Sequence, residues 1–146
     1  MQMVEEINLV RANPTTYIKH IKEWLARTNA PKHTLVAANE LMEELKRTMP
    51  MNALKINTAM YLDARKYGLV MMENNYPEHS DLPYAENLSF GIENIREAII
   101  DLLIDEEIPD RGHRKNILSR NISFIAVHEL PGKVDDFNYC YIQEFK

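Results

Sequence analysis

Apolar residues at Val4, Ile7 and Val10 recur at helical spacing, and Pro14 marks a stop or restart. Asn13 is placed to cap a second helix with Pro14 in its first turn, burying Tyr17, Ile18, Ile21, Trp24 and Leu25. The stretch from Thr28 to Ala38 contains Pro31 and reads as a loop. A third helix, from about Asn39 to Thr48, presents Leu41, Leu45 and Met49, and Pro50 ends it. Asn57 caps a longer helix through about Glu73 whose apolar stripe is Met60, Ala64, Tyr67 and Met71. Asn74 to Tyr84 holds two prolines and no periodicity, which puts His79 on a loop. Glu86 falls in a short extended run ending at Phe90, and Asn94 with Glu97 forms an Asn-x-x-Glu cap opening a helix that carries Ile95, Ala98, Ile99, Leu102 and Leu103. That helix ends near the acidic triplet Asp105-Glu106-Glu107, and a basic turn, Arg111 to Asn116, follows Pro109. Two strands, Ser123 to Glu129 and Tyr139 to Phe145, close the chain around a Pro131-Gly132 turn and a polar loop.

Helices on both sides of a small antiparallel sheet predict an α+β fold, an α-β-α sandwich, in one domain spanning residues 1–146. Apolar content of 45% and charged content of 27% are ordinary for a globular protein. A net charge of -5 argues against a nucleic-acid partner, which normally meets a basic face. The basic cluster from Arg111 to Arg120 could carry an anion, but reads first as a solvated turn neutralising Asp105, Glu106, Glu107 and Asp110. Cys140 stands alone between two tyrosines, so no intramolecular disulfide is possible, and it reads as a small buried hydrophobe. The longest apolar run, Ala98 to Ile104, is short and broken by Asp101, so no transmembrane segment is expected. Met1 to Glu6 lacks the basic and apolar regions of a signal peptide.

The order His79, then Ala85-Glu86-Asn87-Leu88, then a helix, then Gly112-His113-Arg114-Lys115-Asn116-Ile117-Leu118 resembles the CAP superfamily, which includes cysteine-rich secretory proteins, antigen 5, plant pathogenesis-related proteins and bacterial SCP-like proteins. The likeness is closest to the bacterial branch. Glu6 to Pro14 resembles the family's opening helix and Leu54 to Met72 its central helix, while residues 15 to about 50 match least. Ala85 stands where the family usually has Gly, and Leu103 where relatives often carry Trp.

The resemblance implies the same sandwich, export, and a cavity holding two histidines and two acids. His79, Glu86 and His113 match the motif positions, and Glu106 is taken over Asp105 or Glu107 as the second acid. His79 and His113 are the candidate ligands of a divalent metal, Zn²⁺, since neutral imidazole is the commonest metal-binding side chain. A plainer reading has Glu86 accept a hydrogen bond from His113 and pin the loop to the sheet. His20 and His33 lack an acidic cluster at ligand spacing, and His128 is expected at the surface.

No Gly-x-Ser-x-Gly elbow or helical His-Glu-x-x-His motif is present. The resemblance implies sterol or fatty-acid binding and surface roles, so the favoured reading is a non-enzymatic exported binding module, holding a sterol or fatty-acid-like ligand or meeting a host or cell-surface protein. It would be extracytoplasmic, secreted or lipid-anchored through a segment absent from this chain. Two alternatives stand beside it: a metal-assisted protease or esterase with Glu86 or Glu106 as base, and a structural surface adhesin.

Overall fold

The computed structural model describes residues 2–146. In chain order it runs α1 (Gln2–Ala12), α2 (Pro14–Thr28), α3 (Lys32–Arg47), β1 (Lys55–Ile56), α4 (Thr58–Asn74), β2 (Ala85–Ser89), α5 (Ile95–Ile104), α6 (Gly112–Leu118), β3 (Phe124–Glu129) and β4 (Tyr141–Phe145). The class is α+β, with six helices and a small four-stranded sheet among the described residues.

The caps read from sequence form at two of three places. Asn57 accepts from the Met60 backbone N–H and Asn94 from that of Glu97, each at 3.1 Å. Asn13 occupies the cap position of α2, but its side chain makes no capping bond.

Three expectations about the helices are corrected. Residues 32–38 are helical: Pro31 takes the cap position in an extended conformation, so α3 begins just after it. A proline just ahead of a helix costs no internal hydrogen bond, and Thr34, Ala37 and Ala38 are buried there. Met49 lies beyond the end of α3 and is 68% exposed. The basic segment 112–118 is a short helix rather than a turn.

The sheet order is β1-β3-β4-β2. Strand β4 pairs antiparallel with both β2 and β3, but β1 runs parallel to β3 through Lys55–Phe124 and Ile56–Ile125. The sheet is therefore mixed, not wholly antiparallel. Two exposed residues carry no alternation from which β1 could be read.

Every residue of β4 is buried. Tyr141 and Phe145 join a large apolar cluster with α1, α2, α3, α5 and α6, whereas Ile142 packs with Ala64 and Met71 of α4 and with Leu130, Val134 and Cys140. This is the period-two consequence of a strand sending successive side chains to opposite faces. Helix α4 approaches its face closely because Gly68 has no side chain: a Cβ there would meet the His128 ring at 3.0 Å. His128 is accordingly buried at 8% exposure, stacked edge-on against Tyr61, and not a surface residue. Desolvation holds its imidazole below the ordinary range. Cys140 is buried, and burial pushes its thiol up, away from nucleophilic character. No helix among the described residues is long and apolar enough to cross a membrane.

Candidate functional site

The α5–α6 corner is built around one carboxylate. Asp105 ends α5 in the left-handed conformation (φ 52°), which Asp tolerates better than most residues. Its side chain turns toward the start of α6. There Oδ2 accepts from the backbone N–H groups of His113 (2.9 Å) and Arg114 (3.4 Å), and Oδ1 accepts from His113 Nδ1 at 2.8 Å. A negative charge at a helix N-terminus supplies both hydrogen bonds and a favourable field. Asp105, not Glu106, is therefore the partner of His113. Glu106 faces His33 instead, at 3.5 Å, with its Oε2 buried and without a partner.

The basic residues around this corner are structural. Arg114 is 1% exposed. It donates to the carbonyls of Leu103, Ile104 and Ala37 and pairs with Glu40 (2.6 Å) and Glu44 (3.1 Å) of α3. Arg111 donates to the carbonyls of Asp105, Glu106 and Ile108 and to Glu40. The expected solvated turn is thus a clamp joining α3, α5 and α6. Among the expected acids only Asp110 is met by a side chain of the cluster outside the Asp105–His113 pair, through Lys115 at 3.7 Å.

The second histidine forms its own pair. His79 Nδ1 donates to Glu86 Oε1 at 2.6 Å, and the Ser80 backbone N–H reaches the same oxygen at 3.0 Å. The loop that carries them is tied to α4 where Tyr67 donates its hydroxyl proton to the Glu78 carbonyl. Glu86 therefore takes His79 and not His113, and its side chain is 5% exposed against 61% for His79.

Sequence reasoning overlooked the residue opposite Glu86. Across the β2–β4 ladder Glu86 registers with Glu144, which is completely buried. Burial, reinforced by the hydrogen bond and charge of Glu86 and by Asp63, pushes the Glu144 carboxyl up to about 9. Neither Glu144 oxygen, nor Glu86 Oε2, finds another donor. A proton on Glu144 turned toward Glu86 Oε2 would give one oxygen of each carboxyl a partner. The available signal was a glutamate inside the otherwise closely packed strand Tyr141–Phe145.

Two asparagines tie the halves together. Asn116 of α6 donates to Asn87 Oδ1 (2.8 Å) and to the Glu86 carbonyl, while Asn87 donates to the His113 carbonyl and to Gln143 Oε1. Beside this lock lies a cavity of about 340 Å³. Leu88, Phe90, Leu102, Ile108 and Phe137 form its apolar walls, and Asp101, Asp105, Glu106, Glu107 and His113 its polar side. His79 and Glu86 do not line it. The structure thus brings Glu106 and His113 to one cavity and His79 and Glu86 to a neighbouring pair.

A carboxylate only accepts hydrogen bonds, so each imidazole carries a hydrogen on Nδ1, and in its neutral form Nε2 is the lone-pair donor. That is the tautomer in which histidine binds zinc, with a carboxylate behind it. The donor chemistry fits Zn²⁺, but among the described residues no group of three His, Cys, Asp or Glu side chains is placed to hold a metal ion. Comparison with models of known protein families and with curated proteins finds no match.

Proposed function

We propose that the chain is a CAP-type binding module, exported to the cell surface or beyond, with its sheet and flanking helices forming that family's α-β-α sandwich. The observation that carries the reading is the cavity beside the Asn87–Asn116 lock, with apolar walls of Leu88, Phe90, Leu102, Ile108 and Phe137. Pockets for small molecules use apolar walls to bury the ligand and polar groups to orient it, and here five apolar residues face six polar ones, Ser89 among them. The acidic side favours a sterol-like ligand with an uncharged head over a fatty acid, whose carboxylate would face Asp101, Glu106 and Glu107. Zn²⁺ held through Nε2 of His79 or His113 would be weakly bound, and a Lewis acid there would polarise a ligand carbonyl or hydroxyl.

The test uses Phe137, which is 44% exposed and packs near Phe90 at 6.0 Å between ring centroids, so that its loss leaves the core intact. Cholesterol and palmitate binding would be measured for the wild type and Phe137→Ser. The reading expects sterol retention that falls severalfold in the variant, and weaker palmitate binding throughout. Absence of sterol binding would remove it.

One observation favours a second reading, metal-assisted hydrolysis. Glu86 lies between a histidine and a protonated carboxyl, an arrangement suited to general acid–base work. A surface-adhesin role has no comparable support.

A further inference from the structure

A second cavity, of about 390 Å³, shares no lining residue with the first and is bordered by Arg11, Met51, Asn52, Ala53, Lys55, Arg120, Ile122, Ser123 and Phe124. Three cations stand on its wall and no Asp or Glu does, in a chain whose acids outnumber its lysines and arginines by 22 to 17. Arg11 is 1% exposed. Its Nε donates to the Asn52 carbonyl at 3.1 Å, and its Nη1 to the carbonyls of Ile117 and Ser119, both at 2.8 Å. Among the described residues Nη2 has no hydrogen-bond acceptor. Arg120 is steered the same way, by the carbonyls of Met49 (2.6 Å) and Pro50 (3.4 Å). Arg11, Lys55 and Arg120 enter none of the ion pairs within 4.0 Å among the described residues.

Buried charges in proteins are ordinarily paired, because an ion removed from water without a counter-ion is costly. Here a buried guanidinium meets only backbone dipoles, and a second cation lies near enough to repel it. Carbonyl anchors use up some of each guanidinium's donors and fix its plane, leaving the remaining donors oriented in advance. For an oxyanion Arg11 keeps its two Nη2 hydrogens, and Arg120 keeps Nε–H and one hydrogen on each terminal nitrogen. Met51, Ala53, Ile122 and Phe124 add apolar surface beside it.

We propose that this cavity is a binding site for a small oxyanion, a phosphate or carboxylate group carried on a compact apolar body, with Arg11, Arg120 and Lys55 as its counter-charges. Lys55 is exposed and makes no structural bond through its side chain, so Lys55→Gln removes charge without touching the fold. Calorimetric titrations would use inorganic phosphate, phenyl phosphate and acetate at constant ionic strength, for the wild type, Lys55→Gln, Arg120→Gln and, as a remote control, Lys66→Gln. The expected result is saturable binding of at least one of the three anions. Affinity should fall severalfold in Lys55→Gln, at least tenfold in Arg120→Gln, and stay unchanged in Lys66→Gln. Phosphate binding without acetate binding, or the reverse, identifies the head group. Tighter binding of phenyl phosphate than of phosphate places the apolar wall in use. The proposal is overturned if no anion binds beyond the background of a chloride titration, or if either Lys55→Gln or Arg120→Gln binds as tightly as the wild type.

Discussion

Glu144 is an acid kept neutral by its surroundings, and this has a definite sign in stability. Its carboxyl is raised in the folded chain from the ordinary 4.5 to about 9, so between these pH values the folded state holds a proton that the unfolded state has released. This group's contribution is fully present below about pH 4.5 and is lost as pH rises through about 9. Glu144→Gln keeps a donor toward Glu86 and removes the titration. The melting temperature of the variant should therefore exceed that of the wild type at pH 8 and depend less on pH between 5 and 9 (both roughly placed). Thermal melts across that range check it, and an unchanged pH slope would contradict the shared proton. Asp105 makes a second prediction at this scale. Asp105→Ala removes the cap of α6 and the partner of His113, and should cost about 1–2 kcal/mol in urea unfolding.

Arg114 shows how an element can depend on one side chain. It joins α3, α5 and α6 through carbonyls and two glutamates while almost wholly buried. Arg114→Ala would strand those carbonyls and leave Glu40 with only Arg111, so a loss of about 3–5 kcal/mol is expected from equilibrium unfolding. Periodicity and capping residues make most elements legible in the sequence: Asn57 and Asn94 open α4 and α5, and Val4, Ile7 and Val10 line α1. What stayed hidden depended on long-range partners. Lys32 to Ala38 is helical because Ala37 and Ala38 find the core, β1 because β3 offers it a parallel edge, and α6 because Asp105 caps it from outside. The site divided in the same way. The pair His79–Glu86 and the residue His113 can be chosen from the motifs, but which acid takes which imidazole is decided by the left-handed turn at Asp105, and Glu144 by strand register.

Across the whole molecule, the helices and sheet present two cavities of opposite character. One is acidic with apolar walls, beside the Asn87–Asn116 lock; the other is rimmed by Arg11, Lys55 and Arg120. The Asp105–His113 pair lines the first cavity and the His79–Glu86 pair holds its loop to β2 outside it, and in the proposed function neither transforms a ligand. Glu86→Gln should then lower the melting temperature, because it weakens the bonds from His79 and Ser80, while leaving sterol retention within about twofold, since Glu86 does not line the cavity. The most direct measurement takes wild type and Glu86→Gln from matched preparations, with and without Zn²⁺, and follows cleavage of peptide and ester libraries alongside sterol retention. The account predicts no turnover above background in either protein and sterol retained by both. Turnover in the wild type that disappears in a folded Glu86→Gln protein would contradict it and make the hydrolase the better reading.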